Sequence, residues 1–425
     1  MQTNSHAAGR RPRREQSLWQ RIKDVRQPGR ADRWLFWVFC ILLVLGLATL
    51  WSASIPVSMV DSGTGDPFFY IKKQLVVVGI MLALGPFVSR VRVRFFRPFT
   101  VILFLAGIAG MVAALMQERQ YDANRWLTIG SVSFQPSEPV KLVLIMTMAA
   151  LLCRQRKWIC APQKPALREY GLSWLYGTLP FIFVIALFSL LMALQRHISG
   201  LILVVGICMG MMFVGGVPKY RLAAIAAVGA ASVYLVATKI ERFSSYILPR
   251  IETWQHLSEA SSDEAYQIKQ SLIAIGSGGW FGRGLGQSVQ KHLYLPATIN
   301  DFIFAVFCEE WGFIWAIVLV GLFTFLVVRG LLVAKKVKDR YSSLLIAGIS
   351  IQIGLQFLLH IAVNTNALPC TGISLPFFSH GGTSMAILLA EVWIMLSVSR
   401  QVSEQALQNQ EEYRQVATAE IEVYE

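Results

Sequence analysis

Long apolar runs separated by short polar segments dominate the chain. Ten of them approach the ~20 residues that a helix needs to cross the hydrocarbon layer of a bilayer. They lie at about 34–53, 72–89, 98–117, 136–153, 174–195, 199–216, 221–239, 301–328, 342–363 and 383–400. Lys and Arg concentrate in alternate connections. Nine fall in the first 33 residues, from Arg10 to Arg33, and others form groups at Arg90–Arg97, Arg154–Arg168, Lys219–Arg221 and Arg329–Arg340. The positive-inside rule assigns those connections to the cytoplasm. The pattern predicts an all-α integral membrane protein of about ten transmembrane helices. It divides into a basic cytoplasmic segment (1–33), a membrane domain (34–400) and a polar cytoplasmic tail (401–425). The outer segments are then about 54–71, 118–135, 240–300 and 364–382. The large extracytoplasmic loop between spans seven and eight, 240–300, is long enough to carry function or short helices of its own.

Composition supports that class. Of 425 residues, 55% are hydrophobic and 15% charged, against about 25% charged in soluble domains, and the mean hydropathy is +0.51. The net charge of +14 is largely a topology signal, and no nucleic-acid-binding motif accompanies it. The six cysteines form no CxxC pair and fit small core residues better than disulfides or zinc ligands. The first apolar run is too long for a cleaved leader and is followed by many more.

Unusual polar residues gather at the outer ends of the spans. Asp301 opens the eighth run. It is either an N-cap or first-turn residue or a general base at the water–lipid boundary, where burial would raise its pKa. Glu309 and Glu310 lie roughly 12–13 Å deeper on a helix and cannot form one dyad with it; each needs a partner, as does Glu391 in the tenth span. Ser137 can N-cap the fourth span, and Glu138 and Lys141 can pair on one face. Arg125, next to Trp126, either anchors a helix or meets a phosphate. Gln195, Arg196 and His197 mark the turn between spans five and six. Ser379, His380, Gly381 and Gly382 end the last outer loop, where the glycines and Pro369 and Pro376 suit irregular backbone lining a cavity. The Gly-rich stretch from Tyr266 to Lys291 lacks a nucleotide-binding pattern; it is a flexible connector or a backbone cradle for a phosphate or sugar. These residues suit an amphiphile with an anionic head. Asp301 could also share a divalent cation, Mg or Mn, with bridging phosphates.

Four segments carry a resemblance: NRWLTIG with SFQPSEPVK, YQIKQSLIAIGSGG with GLGQSVQK, YLP followed by DFIFAV and EEWG, and TGISLPFFSHGGTS. Together, over about residues 34–400, they make the chain similar to the SEDS family (shape, elongation, division and sporulation), with a lean toward its FtsW members at DPFFYIKKQ. The resemblance implies a ten-helix glycosyltransferase that polymerises lipid II into peptidoglycan glycan strands at the outer face of the cytoplasmic membrane. It would work beside a class B penicillin-binding transpeptidase and, in septal synthesis, other divisome membrane proteins. It aligns the family's catalytic aspartate with Asp301 and its Glu and Lys with Glu138 and Lys141. The remaining substrate-binding candidates are Arg125, His197, Lys291, Ser379, His380, Gly381 and Gly382, with Arg196 a further cation for the departing diphosphate. Three places depart from the family pattern. Ala297 to Asn300 replace a Glu-containing stretch, His380 stands where Tyr is common, and Arg196 stands where Pro is common. The alternatives are a flippase for the lipid-linked precursor, a RodA-like elongation polymerase, and a scaffold that recruits a transpeptidase.

Overall fold

The computed structural model describes residues 29–117, 125–129, 132–159, 167–239 and 241–424; the basic residues before Gly29, and Cys160 and Lys164, lie outside them. In chain order the helices are α1 (Arg33–Asp61), α2 (Phe69–Val88), a 3-10 turn (Val93–Phe99), α3 (Thr100–Met116), α4 (Ser137–Arg154), α5 (Arg156–Ile159), α6 (Leu167–Gly177), α7 (Leu179–Leu194), α8 (Ile198–Val214), α9 (Lys219–Lys239), α10 (Glu241–Gln255), α11 (Asp263–Ser277), α12 (Ile303–Lys336), α13 (Arg340–Asn364) and α14 (Gly382–Tyr424). Between α3 and α4 a small antiparallel hairpin pairs β1 (Leu127–Ile129) with β2 (Val132–Phe134).

The chain is a multi-pass membrane protein, mostly helical among the described residues. Among the described residues, six of the ten expected spans are long and apolar enough to cross a bilayer by themselves, and the bent pair α6–α7, taken as one span, makes a seventh. Of the rest, α8 has 17 residues and α4 carries Glu138, Lys141 and Arg154. Several bounds differ from the hydropathy pattern. Helix α1 continues to Asp61 through Pro56, α12 starts at Ile303, and α14 runs unbroken through the polar tail to Tyr424. Hydropathy measures only the lipid-facing stretch, whereas a helix extends as long as its backbone bonds continue. The 240–300 segment holds two helices of its own, α10 and α11.

Two breaks shape the bundle. Helices α6 and α7 meet at a 42° bend at Thr178, where Pro180 contributes no N–H. The buried Arg221 donates to Ser173 O, Ser173 Oγ and Thr178 Oγ1 at 3.2, 2.6 and 3.2 Å. Arg221, expected to mark topology, is thus also a clamp on the bend.

The second break is at Gly312 in α12, with φ 83° and ψ 179°. A break there leaves the carbonyls of Glu309 and Glu310 and the amides of Phe313 and Ile314 without their helical partners. Such groups are costly in a membrane. The Gly-rich stretch meets all four. Arg283 N and Gly284 N donate to Glu309 O and Glu310 O at 3.0 and 2.9 Å, while Phe313 N and Ile314 N donate to Gly279 O and Trp280 O at 2.9 and 3.2 Å. The close approach requires glycine: a Cβ on Gly282 or on Gly312 would collide with the facing backbone, and both have positive φ. Two amides that a phosphate cradle would offer are therefore bonded to the broken helix.

An aromatic cluster joins this region to the centre. Phe323 of α12 stacks on Phe357 of α13 at 4.1 Å, Phe39 of α1 meets Phe377 edge-on at 5.8 Å, and Phe307 meets Phe378 at 5.8 Å. The strap 375–379 is thereby pinned under α1, where Gly46 lies against the Phe377 backbone. Beyond Lys72 and Lys73 at the start of α2, the exposed side chains of α2 and α3, such as Val76, Phe87, Val101, Ile102 and Leu105, are apolar, as a lipid-facing surface requires.

Gly312→Ala should destabilise the purified protein by at least the ~1–3 kcal/mol that forced backbone strain costs, because its Cβ has no room. Gly321→Ala, in the same helix with open space around it, should be neutral or slightly stabilising. Thermal unfolding in detergent distinguishes them; equal shifts would contradict the assigned role of the break.

Candidate functional site

Asp301 lies one residue before the cap of α12, in a turn closed by Asp301 N–H donating to Ala297 O at 3.1 Å. Ala297 holds φ 54°, a conformation uncommon outside glycine. The cap residue is Phe302, so Asp301 is neither N-cap nor first-turn residue; the turn ends too early for its side chain to serve the helix. Three bonds fix the turn. Asn364 Nδ2 donates to Asp301 O at 2.9 Å, Ser379 Oγ donates to Asn300 O at 2.6 Å, and His380 N donates to Ile299 O at 2.8 Å.

The carboxyl group itself accepts no hydrogen bond and closes no ion pair among the described residues. Burial pushes its pKa above the usual aspartate range, and the charges of Arg125 and Arg250 partly offset this. Each arginine is held from another side. Arg125 Nη2 donates to Arg196 O at 3.0 Å. Arg250 Nη1 donates to Cys370 O at 3.1 Å, and its Nη2 pairs with Glu264 at 2.9 Å. Gly372, with φ 67°, passes beside Asp301 Oδ2 so closely that a Cβ would sit 3.2 Å from it.

Below the mouth, Lys141 pairs with Glu138 at 2.9 Å, and both are buried. Ser137, expected as an N-cap, is instead the first helical residue, because Pro136 already has helical φ and ψ and takes the cap position. Lys141 Nζ also reaches Gln356 Oε1 at 3.3 Å. Gln356 belongs to a stripe on α13, where Gln352, Gln356, His360 and Asn364 recur every fourth residue on one face and all are buried. Gln352 donates to both oxygens of Glu391 at 2.8 and 2.9 Å. Gln356 donates to Ser374 O at 3.0 Å, and His360 Nδ1 bonds Ile373 O at 2.6 Å. A carbonyl only accepts, so that nitrogen carries the proton. The stripe holds the irregular 370–376 backbone against the mouth.

His197 is near enough to Arg125 and Lys141 to feel both. Burial, then those two charges, pushes its pKa well down, so it is neutral at pH 7. Arg196 beside it has φ 55°, which a proline ring cannot adopt.

Asp301, Arg125, His197 and the Glu138–Lys141 pair therefore converge, and Ser379 and His380 buttress the Asp301 turn. The His380 ring packs edge-on against Tyr70 at 4.8 Å. Burial, then the charge of Lys73, lowers its pKa to about 4, leaving a neutral ring. Gly381 N donates to Gln74 Oε1 at 3.3 Å and Gly382 faces Val77, so these glycines seat the loop against α2 rather than beside the carboxyl.

Lys291 requires correction as a mouth residue. It is buried elsewhere, with Nζ 2.9 Å from Glu310 Oε1 and 2.7 Å from Ser52 Oγ, because the Gly-rich stretch folds back onto the α12 break. Glu309 is similarly enclosed, accepting from Ser288 Oγ, Val289 N and Gln290 N. Arg250 was not singled out from the sequence. Its one local sign is a cation in an amphipathic helix of the outer segment, and its role depends on partners far along the chain. Among the described residues no three His, Cys, Asp or Glu stand together as a metal site; Asp301 can supply one ligand to an ion held mainly by other groups.

The family model for the FtsW, RodA and SpoVE proteins, described as cell cycle protein, matches residues 33–404. A Coxiella burnetii protein named "Probable peptidoglycan glycosyltransferase FtsW" is 32% identical over 378 residues, 87% of this chain and 96% of that one. Stage V sporulation protein E of Bacillus subtilis is 33% identical over 377 residues, 87% of this chain and 97% of its own. A chain from a peptidoglycan synthase complex, described as coordinating polymerization and crosslinking, superposes with a TM-score of 0.67 at 21% identity, covering 88% of this chain and 98% of that one. The rod shape determining protein RodA of Thermus thermophilus gives 0.61 at 24% identity, with 87% and 97% covered. Those two likenesses show a shared fold, and the match across nearly the whole membrane domain places this chain in the FtsW, RodA and SpoVE (SEDS) family, on its FtsW-like side.

Proposed function

We propose that this protein is a peptidoglycan glycosyltransferase that polymerises lipid II at the outer face of the cytoplasmic membrane, with both termini in the cytoplasm, and that it serves septal wall synthesis. The names of its FtsW relatives support the reaction and the division role. The observation that carries the chemistry is the half-buried Asp301 carboxyl, which has no hydrogen bond or ion pair among the described residues and feels the charges of Arg125 and Arg250.

In this reading Asp301 accepts the proton of the acceptor sugar hydroxyl as that oxygen attacks the donor's anomeric carbon. The bond from that carbon to the lipid diphosphate breaks, and the diphosphate leaves with the electron pair. Arg125 and Arg250 stabilise its growing charge, Lys141 contributes from deeper in the mouth, and a divalent cation shared with the phosphates would add to them. His197, neutral, can offer or accept a hydrogen bond without adding charge. The substrate is already activated, so no nucleotide is needed. A class B penicillin-binding transpeptidase, within a set of divisome proteins, is the proposed partner; the synthase complex containing a chain of the same fold supports it. A flippase would need polar stepping points at several depths, but Glu309, Glu310 and Glu391 are engaged in fixed local bonds, which favours polymerisation.

Purified Asp301→Asn protein should lose lipid II polymerisation by about 10²–10⁴-fold, the usual contribution of a general base, while eluting and melting like the parent. Polymerisation at the parent rate would overturn the assignment.

The pH profile gives a second check. A base with a raised pKa loses activity as pH falls through that raised value, so the acid limb should lie above the range of an ordinary aspartate. Arg250→Gln removes a charge that favours the carboxylate, so it should move the limb to still higher pH as well as slow the reaction. An unmoved limb would separate Arg250 from Asp301.

A further inference from the structure

The opposite end of α12 carries a second cluster of charge that the polymerase chemistry does not use. A cavity of about 270 Å³ opens where the start of α1, the last turns of α12 and the middle of α14 meet. Three cations line it: Arg30, Arg329 and Lys336. Its one lining carboxylate, Asp32, is fully engaged. Asp32 Oδ1 accepts from Trp34 N and Leu35 N at 3.0 Å each, capping α1, and Oδ2 accepts from Arg329 Nε and Nη2 at 3.0 and 2.6 Å. Ser399 Oγ, accepting from Asp32 N at 2.9 Å, fixes the same residue to α14.

The charge balance is therefore uneven. Arg329 is held in place by Asp32, with Nη1 left over, while Arg30 and Lys336 have no carboxylate partner among the described residues. The cavity keeps a net charge of +2 from these four side chains. Beside the cations lie the Ser403 hydroxyl and the apolar Leu332 and Val402. Cations and a hydroxyl next to exposed aliphatic carbon, at the membrane-boundary end of three spanning helices, match the two halves of one molecule: a phosphate headgroup and the start of its acyl chains.

We propose that this cavity binds the headgroup of an anionic phospholipid, with the phosphate between Arg30, Lys336 and the pre-set Arg329, the headgroup oxygens toward Ser403 and the acyl chains over Leu332 and Val402. The site is distinct from the Asp301 mouth and does not depend on the polymerase reading. It would tie the N-terminal end of α1 to α12 and α14 from the lipid side.

Native mass spectrometry of the full chain in detergent, titrated with phosphatidylglycerol and with phosphatidylcholine of the same chains, tests it. The parent should bind phosphatidylglycerol at least tenfold more tightly. Each cation near a membrane surface is worth about fivefold in anionic-lipid affinity, so Arg30→Gln/Lys336→Gln should lose about 25-fold. Arg156→Gln/Lys157→Gln, which removes the same charge from an exposed basic segment, should lose less than twofold. Ser403→Trp, which fills the cavity without changing charge, should also weaken binding; it keeps the test meaningful if the double variant is unstable. Equal affinity for the two lipids, equal losses in the two double variants, or an unaffected Ser403→Trp protein would overturn the proposal. So would displacement of the lipid by millimolar inorganic phosphate beyond a sodium chloride control of equal ionic strength, since the site would then take free phosphate.

Discussion

A half-buried carboxyl group at the edge of the outer water, near two guanidinium groups but bonded to neither, is useful only if its surroundings cannot relax. Left free, the Asp301 side chain would turn to an arginine or to solvent and lose its basicity. The fold prevents this by fixing the backbone on each side. Asn364, Ser379 and His380 hold the 297–301 turn, Gly372 closes one flank, and the two arginines are occupied with Arg196 O, Cys370 O and Glu264. What is left is a proton acceptor whose raised pKa comes from burial and whose neighbours stabilise negative charge on a substrate.

The same solvent that permits this arrangement also constrains it. Lipid offers no hydrogen bonds, so irregular backbone near the site must find its partners inside the protein. At Gly312 the broken α12 exchanges four bonds with the Gly-rich stretch, and the Glu309 and Glu310 side chains then draw in Ser288 and Lys291. On α13 the polar stripe from Gln352 to Asn364 does comparable work for the 370–376 strap. The irregular backbone of the outer mouth is thus held by bonds to the groups below it, and the in-span glutamates are part of that frame.

Much of this was legible in the chain. Apolar runs placed the spans, the three-residue spacing of Glu138 and Lys141 anticipated their ion pair, and Asp301 stood out as a carboxylate at a span boundary. What remained hidden were relations between distant residues. Lys291 looked like a mouth cation because nothing local shows that Ser52 and Glu310 converge on it. Arg250 was passed over because its partner Cys370 O is 120 residues away. Gly312 is one glycine among 32, and its non-helical backbone inside α12 and the collision a Cβ there would make with Gly282 appear only in the folded chain. The four motifs pointed to the family that the match over residues 33–404 shows, yet the positive φ of Arg196 is not legible in them.

The central claim is spatial before it is chemical: the Asp301 carboxyl must open to water on the far side of the membrane from the cell interior. Asp301→Cys in a background lacking the other cysteines, treated in intact spheroplasts with a membrane-impermeant maleimide, measures this directly. The account predicts labelling from outside without permeabilisation. Labelling only in inside-out vesicles would contradict it.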